Sequence, residues 1–123
     1  MRQDIAFFTA LLDSLKDPFL FTDTSHVIRY MNKAAAKHYK EGTTLLGRSL
    51  LDCHNAASQA RIRAIFAEFQ AGAVEERLIT DNAKQRIYMR AVRDAGGALL
   101  GYYERYEPPA AAAAGAAPAA APA

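Results

Sequence analysis

The sequence predicts an α+β domain with an antiparallel β-sheet that carries its helices on one face. Strand-like runs lie on both sides of a helical middle segment, two before it and three after it. Turn residues separate the runs within each group, which favours antiparallel hairpins. The middle segment has the clearest helical period of the chain, because Ile62, Ile65, Phe66 and Phe69 form one apolar face. This order of elements is typical of a five-stranded sheet that encloses a pocket beneath its helices.

Length and composition limit the chain to one domain. Among its 123 residues, those from Pro108 onward are only Pro, Ala and one Gly, which bury too little surface to offset the entropy of ordering. We therefore expect a flanking helix at 1–16, a folded domain at 17–107 and a disordered tail at 108–123. The net charge is +2 with no basic stripe, so nothing indicates nucleic-acid binding. One cysteine, no signal peptide and no membrane span favour a reducing cytoplasm.

The first element is an amphipathic helix predicted at 1–15. Asp17-Pro18 ends it, since a residue before proline avoids helical backbone angles. The helix must bury its apolar face either on its own domain or on a partner subunit. That face consists of Ile5, Phe8, Leu11, Leu12 and Leu15.

A hairpin and a short helix follow. The runs 19–22 and 27–31 are predicted strands, and the turn between them contains Asp23 and Ser25, whose side chains can accept hydrogen bonds from nearby amides. Asn32 is suited to cap a helix at 33–40, which Gly42 ends.

The rest of the chain is predicted as a long helix and three strands. The helix spans about 58–70 and stops at Gly72. Strands are expected at 74–80, 85–93 and 98–107, with a strong turn at Asp94-Ala95-Gly96-Gly97. Alternation places Leu100, Tyr102, Glu104 and Tyr106 on one side of the last strand.

The segment 46–58 is the candidate site for binding. It holds the only cysteine, Cys53, beside one of the three histidines, His54. It also holds Gly47, a residue type that can take backbone angles closed to other residues. The predicted sheet and the long helix flank it on either side. We therefore expect this segment to contact whatever the protein senses or binds.

Several motifs in this order resemble the PAS sensor domain family. The run 20–35 is similar to the family's opening hairpin, which ends in an Asn that caps the next helix. The run 45–50 resembles its Gly-centred turn, and Ala91-Val92-Arg93-Asp94 with Gly97, Gly101 and Glu104 resembles its last hairpin. The resemblance covers about 12–107. It implies a domain that binds a small molecule or a partner and transmits a change of shape.

The resemblance also implies a cofactor candidate, heme. In one group of heme PAS domains, found among bacterial chemoreceptors, a His on a short helix after the Gly-centred turn holds the iron, and His54 falls at the matching position. Those domains carry a distal Trp that this chain lacks, and Tyr102 or Tyr106 is its possible substitute. The simpler interpretation is that His54 caps the short helix or bonds the backbone. The expected pocket residues are Leu50, Cys53, His54, Ile62, Phe66, Met89, Leu100, Tyr102 and Tyr106.

Other chemistries fit less well. A second kind of heme PAS sensor has its His within the long helix, where this chain has Arg61. Flavin-binding relatives need a Cys just after the glycine, and Cys53 comes too late. Adjacent Cys and His residues on a helix point roughly 100° apart, so they do not form a nucleophile–base pair by spacing alone. We expect Cys53 to be a buried, inert thiol and the protein not to be an enzyme.

The sequence-based hypothesis is a cytoplasmic PAS sensor that binds a small molecule, with heme the named candidate. Its expected partners are a second copy, through the N-terminal helix, and a separate effector protein, because no effector segment follows Glu107. No nucleic-acid or membrane partner is expected. The alternative is a ligand-free PAS module for protein interaction and dimerisation.

Overall fold

The computed structural model describes residues 4–110. Three α-helices are present in this range: α1 (Ile5–Asp13), α2 (Lys33–His38) and α3 (Ala56–Ala71). Five strands accompany them: β1 (Leu20–Asp23), β2 (Ile28–Met31), β3 (Glu76–Asp81), β4 (Arg86–Arg93) and β5 (Leu99–Glu107). Two 3₁₀ turns, Gly42–Leu45 and Leu50–Cys53, link α2 to α3. The start of the predicted first helix and, beyond 110, the predicted disordered tail lie outside the described residues.

The strands form one antiparallel sheet in the order β2-β1-β5-β4-β3. The predicted α+β fold class is therefore confirmed. Buried side chains of the sheet, such as Leu20, Met89 and Tyr102, belong to the same core cluster as the apolar face of α3. The pairing of β1 with β5 joins the first hairpin to the last strands, so the inner face of the sheet is continuous beneath the helices.

Side-chain caps set the boundaries of α3. The Asn55 side chain accepts a hydrogen bond from the Ser58 amide at 2.9 Å, which starts the helix earlier than the predicted residue 58. At the other end Gly72 has a φ of 72°, a left-handed conformation that favours glycine and stops the helix as predicted. Between these caps, Ile62, Ile65, Phe66 and Phe69 are buried, as their spacing predicted.

A β-bulge in β5 changes which leucine faces the core. Val92 pairs with Gly101 but Arg93 pairs with Leu99, so Leu100 has no partner in the register. Leu99 packs against the core, whereas Leu100 is 46% exposed. The prediction that Leu100 lines the pocket is therefore wrong, because simple alternation along a strand fails at a bulge.

Helix α1 lies against the domain by its C-terminal end. The Asn32 side chain donates to the Leu12 carbonyl at 3.0 Å, and Asp13 accepts from the Tyr30 hydroxyl at 3.2 Å. No residue of α1 is buried, and Ile5 is 86% exposed. Its apolar face is not covered by the described part of its own chain.

Within 4–110, no helix combines the length and the apolar content that crossing a bilayer requires.

Candidate functional site

A cavity of about 260 Å³ lies between the sheet and the helices. Its apolar wall consists of Ile62 from α3, Ile79 from β3 and Ile87 from β4. Polar side chains from the two helical segments and the sheet supply the remainder: His38, Tyr39, His54, Ser58, Arg61, Thr80, Glu104 and Tyr106. The lining of the cavity therefore combines hydrocarbon side chains with side chains that can form hydrogen bonds.

A wider groove of about 530 Å³ lies outside this interior, between the end of α1 and α2. Lys16, Lys33 and Lys37 line it and are exposed. Because it is an open surface rather than an enclosed space, we take the smaller internal cavity as the candidate site.

Glu104 and two tyrosines form the polar centre of the cavity. The Tyr39 and Tyr106 hydroxyls are 2.7 Å apart, and they lie 3.3 and 3.4 Å from Glu104 Oε2. Burial raises the pKa of Glu104, and the hydrogen bonds and the nearby His54 and His38 oppose that effect only in part. Burial, then the charge of Glu104, also raises the pKa of both tyrosines, so they remain protonated donors at neutral pH.

The register of the sheet brings this cluster together. Glu104 pairs with Met89 and Tyr106 pairs with Ile87, so both side chains lie beside inward-facing positions of β4. Tyr39 follows directly after α2 and reaches the sheet from the helical layer. The hydrogen-bond donors to this carboxylate are therefore two phenols that converge on it from β5 and from the end of α2.

His54 lines the cavity and also bonds the backbone. Its Nδ1 is 2.9 Å from the Leu50 carbonyl oxygen, and because a carbonyl only accepts, Nδ1 is the donor. In the neutral ring Nε2 is then an acceptor. The Gln59 side chain donates to the carbonyls of Leu51 and His54, at 2.8 and 2.9 Å, and so holds this segment in place.

The predicted pocket residues fall into three groups. His54, Ile62 and Tyr106 line the cavity. Leu50, Phe66, Met89 and Tyr102 are buried in the core beside it and are not among its lining residues. Tyr102 faces His26 instead, with its hydroxyl 2.8 Å from His26 Nδ1. Leu100 and Cys53 lie outside the site altogether.

Cys53 is exposed, so the prediction of a buried thiol is wrong. It ends the 3₁₀ turn Leu50–Cys53, in which Leu50 and Leu51 supply the buried positions. The two leucines at the start of this short turn take the core positions, and the following Asp52 and Cys53 are exposed. Partial burial of the sulfur, together with Glu41 and Asp52, raises the pKa of Cys53 and leaves it a weak nucleophile.

Sequence reasoning missed Tyr39 and Glu104 as site residues. Glu104 was placed on the same side of β5 as Tyr106, and an acidic residue at an inward-facing strand position is itself a signal, because unpaired carboxylates are rarely buried. Tyr39 offered no comparable signal. It sits beyond the end of α2, and its contact with Tyr106 spans 67 residues of sequence.

We expect Glu104→Gln to stabilise the protein at high pH. The folded-state pKa of Glu104 is raised, so folding favours the protonated form, and the native state loses stability as pH rises from the unfolded pKa through the folded pKa. Glutamine removes that loss, and the variant should exceed the wild type by about 1 kcal/mol at pH 8. Urea unfolding at pH 4 and pH 8 measures the effect.

The matched control for this substitution is Glu41→Gln, at an exposed carboxylate. Its stability should follow the wild type at both pH values. The gain in free energy of unfolding from Glu104→Gln should be larger at pH 8 than at pH 4. An equal gain at both pH values would contradict the explanation, because the effect would then not depend on the ionisation of Glu104.

Metal and heme sites require separate tests. Within residues 4–110, no group of three or more His, Cys, Asp or Glu side chains is arranged to hold a metal ion. His54 is the residue that would hold a heme iron, because the Leu50 carbonyl orients its Nδ1 and leaves Nε2 available. The cavity of about 260 Å³ is nevertheless below the roughly 300–1,000 Å³ of sites for drug-sized ligands. A porphyrin does not fit this space.

An antiparallel sheet of this strand order, helices over one face and a cavity between them define an α+β domain with an internal cavity. A family model described as "PAS domain" matches residues 8–107. The chain therefore belongs to the PAS domain family, as its motifs predicted.

Solved structures share this fold at low sequence identity. The C-terminal domain of a Streptococcus mutans protein is 18% identical with a TM-score of 0.71, over 85% of this chain and 84% of that one. The PAS domain of Bordetella pertussis BvgS is 15% identical with a TM-score of 0.64, over 87% of each chain. The Vibrio cholerae Aer2 receptor, described as a dual PAS-heme oxygen sensor, is 17% identical with a TM-score of 0.52, over 74% of this chain and 92% of that one.

Identities of this size establish the fold and not the ligand. Among curated protein sequences, none matches this chain.

Proposed function

We propose that this PAS domain is a sensor that binds a small molecule in the cavity between its sheet and helices and signals through a partner chain. The observation that carries the proposal is the polar cluster of Glu104, Tyr39 and Tyr106 inside that cavity. Buried polar groups cost free energy unless they are satisfied. Retaining three of them around an internal space favours a binding role over a purely structural one.

We also propose that the domain binds its ligand without converting it. The exposed thiol of Cys53 has a raised pKa and lies outside the cavity. Glu104 and His54 do line the cavity, but no nucleophile with a hydrogen-bonded base is found among the residues that line it. A cytoplasmic location and a separate effector protein stay predictions from the sequence.

The cavity is tested by blocking it from its rim. Ser58, in the first turn of α3, lines the cavity, and Ser58→Phe should fill part of it. We expect small molecules that co-purify with the wild type in native mass spectrometry to be lost from this variant. Ala57→Phe is the matched control, because Ala57 is the neighbouring helical residue and is exposed.

The same preparations separate the alternatives. A ligand retained by Ala57→Phe and lost from Ser58→Phe supports the sensor. No bound molecule in any preparation, with equal thermal stability in all three, would favour the ligand-free module. A Soret absorption band after addition of hemin, lost in His54→Ala, would identify heme and show that the cavity opens to admit it.

A second role, dimerisation, is favoured by the uncovered apolar face of α1. Ile5, Phe8, Leu11 and Leu15 are exposed large hydrophobic residues on this helix and the residues just after it. Exposed apolar faces of this kind mark interaction sites. We propose that a second copy of the chain covers this face. The sequence likewise predicted a dimer formed through the N-terminal helix.

Charge on the apolar face should convert such a dimer to a monomer. We expect the double substitution Phe8→Glu and Leu11→Glu to do so, because each carboxylate would be buried without a partner at the interface. Sedimentation velocity measures the mass. Ala10→Glu is the control, since Ala10 is exposed on the same helix but lies away from that face. A wild-type monomer, or an unchanged mass in the double variant, would contradict the proposal.

A further inference from the structure

We propose that the cavity recognises a small organic cation, a protonated amine or amidine with a compact apolar body, through Glu104. This inference rests on the proposed ligand-binding function and names the chemical class of the ligand. Three observations carry it: the supply of hydrogen-bond donors around the carboxylate, the state of the nearby basic groups and the shape of the apolar wall.

The carboxylate of Glu104 is short of donors. The Tyr39 and Tyr106 hydroxyls lie 2.7 Å apart, so one of their two protons is used in the bond between them. A single phenol proton is then left for Oε2, and both of its distances, 3.3 and 3.4 Å, are long for an O–H···O bond. Within the described residues Oε1 has no hydrogen-bond partner. An ionised carboxylate accepts about four hydrogen bonds, so most of its capacity faces the cavity.

Three basic side chains, His38, His54 and Arg61, line the cavity, but within residues 4–110 none of them forms a hydrogen bond or an ion pair with Glu104. None of the ion pairs found within residues 4–110 includes Glu104. Arg61 lines the cavity, but its guanidinium donates to the Leu78 carbonyl at 2.8 Å. His54 uses its Nδ1 proton on the Leu50 carbonyl, which leaves Nε2 as the ring nitrogen that a ligand can meet. At Glu104 itself a ligand meets unused acceptor capacity, beside the hydroxyl and basic side chains that also line the cavity.

The isoleucines and the volume of the cavity limit the polarity and the size of the ligand. Ile62, Ile79 and Ile87 give the cavity a hydrocarbon surface, and Ile87 lies beside Tyr106 through the pairing of β4 with β5. A space of about 260 Å³ suits a ligand smaller than a typical drug molecule. A compact apolar body against the isoleucines, with an N–H-rich cationic head on Glu104, satisfies both kinds of lining side chain. An anionic head would instead meet the carboxylate directly.

Isosteric probes that differ only in charge test the inference. Benzamidinium, benzamide and benzoate have nearly the same shape and carry positive, zero and negative charge. We expect isothermal titration calorimetry at pH 7.5 to show benzamidinium binding at least about ten-fold more tightly than benzamide, the size of one charge-assisted hydrogen bond. Benzoate should bind least. Butylammonium, an aliphatic cation, should retain measurable binding.

Variants assign the effect to Glu104. Glu104→Gln keeps the shape and should weaken benzamidinium binding by about ten-fold or more while leaving benzamide within about three-fold. Glu41→Gln, at an exposed carboxylate, should leave both ligands unchanged. Tyr106→Phe retains the carboxylate and should keep the preference for the cation. Thermal unfolding of each variant confirms that it is folded.

The outcomes distinguish this inference from the proposed function. Equal affinities for benzamidinium and benzamide, or a benzamidinium affinity unaffected by Glu104→Gln, would overturn the cation inference. If in that case a co-purifying neutral or anionic molecule is still lost from Ser58→Phe, the sensor proposal stands without it. Binding of benzamidinium that depends on Glu104 and is blocked by Ser58→Phe supports both.

Discussion

Replacing Asn32 by alanine is expected to lower the free energy of unfolding by roughly 3 kcal/mol, because it removes four hydrogen bonds from a buried site. Asn32 is 0% exposed. Its Oδ1 accepts from the amides of Phe19 and Ala35, at 2.9 and 2.8 Å. Its Nδ2 donates to the carbonyls of Leu12 and Asp17, at 3.0 and 3.1 Å. One side chain thus joins α1, β1 and α2.

The matched control is Asn55, which caps α3 with the same kind of bond but is exposed. Its replacement by alanine should cost about 1 kcal/mol, the usual value of a helix cap. Asn32→Asp keeps the acceptor oxygen but loses both donor bonds, so we expect it to be about as damaging as alanine. Urea unfolding followed by circular dichroism measures all three. Equal costs for the alanine variants at 32 and 55 would mean that the buried network adds nothing beyond a cap.

Replacing Gly101 by alanine is expected to cost roughly 3 kcal/mol or more, among the larger effects of a single substitution. Gly101 has a φ of 154°, and an added Cβ would lie 2.0 Å from the Thr22 carbonyl oxygen. That oxygen belongs to the backbone of the adjacent strand, so it cannot rotate away. Gly101 also pairs with Asp23 on one side and with Val92 on the other, which leaves β5 no free side to move toward.

Gly96 provides the comparison for Gly101. It lies in the turn before β5, where an added Cβ would meet only the Asp94 side chain at 3.4 Å. Gly96→Ala should therefore change the free energy of unfolding by less than about 0.5 kcal/mol. Similar thermal unfolding midpoints for the two alanine variants would show that the strands can separate to admit a side chain at position 101.

Much of the fold could be predicted because its signals are local. The caps at Asn32 and Gly72 and the apolar period of α3 each depend on residues within a few places of one another. The strands were predicted to within two residues at each end for the same reason, since turn residues bound them. Together with the hairpin motifs, these signals were sufficient to identify the PAS family.

Only part of the candidate site followed from the sequence. His54 was expected in the cavity and lies there, because its segment links α2 to α3 and both of these helices contribute lining residues. Leu100 was misplaced because a bulge shifts the alternation of β5, and a strand's own sequence does not show where its partner's register slips. Cys53 was misplaced because Leu50 and Leu51 supply the buried positions of its turn, and the sequence does not show which residues of so short a turn the core covers.

The sequence by itself determined which segments become helices and strands, and in which order, since caps, turns and periodicity act over a few residues. The tertiary structure decided the polar centre of the cavity. Tyr39 meets Glu104 and Tyr106 across 65 and 67 residues of chain, through pairings of β4 with β5 and the placement of α2. Interior chemistry depends on which distant side chains converge, and convergence is a property of packing rather than of any local pattern.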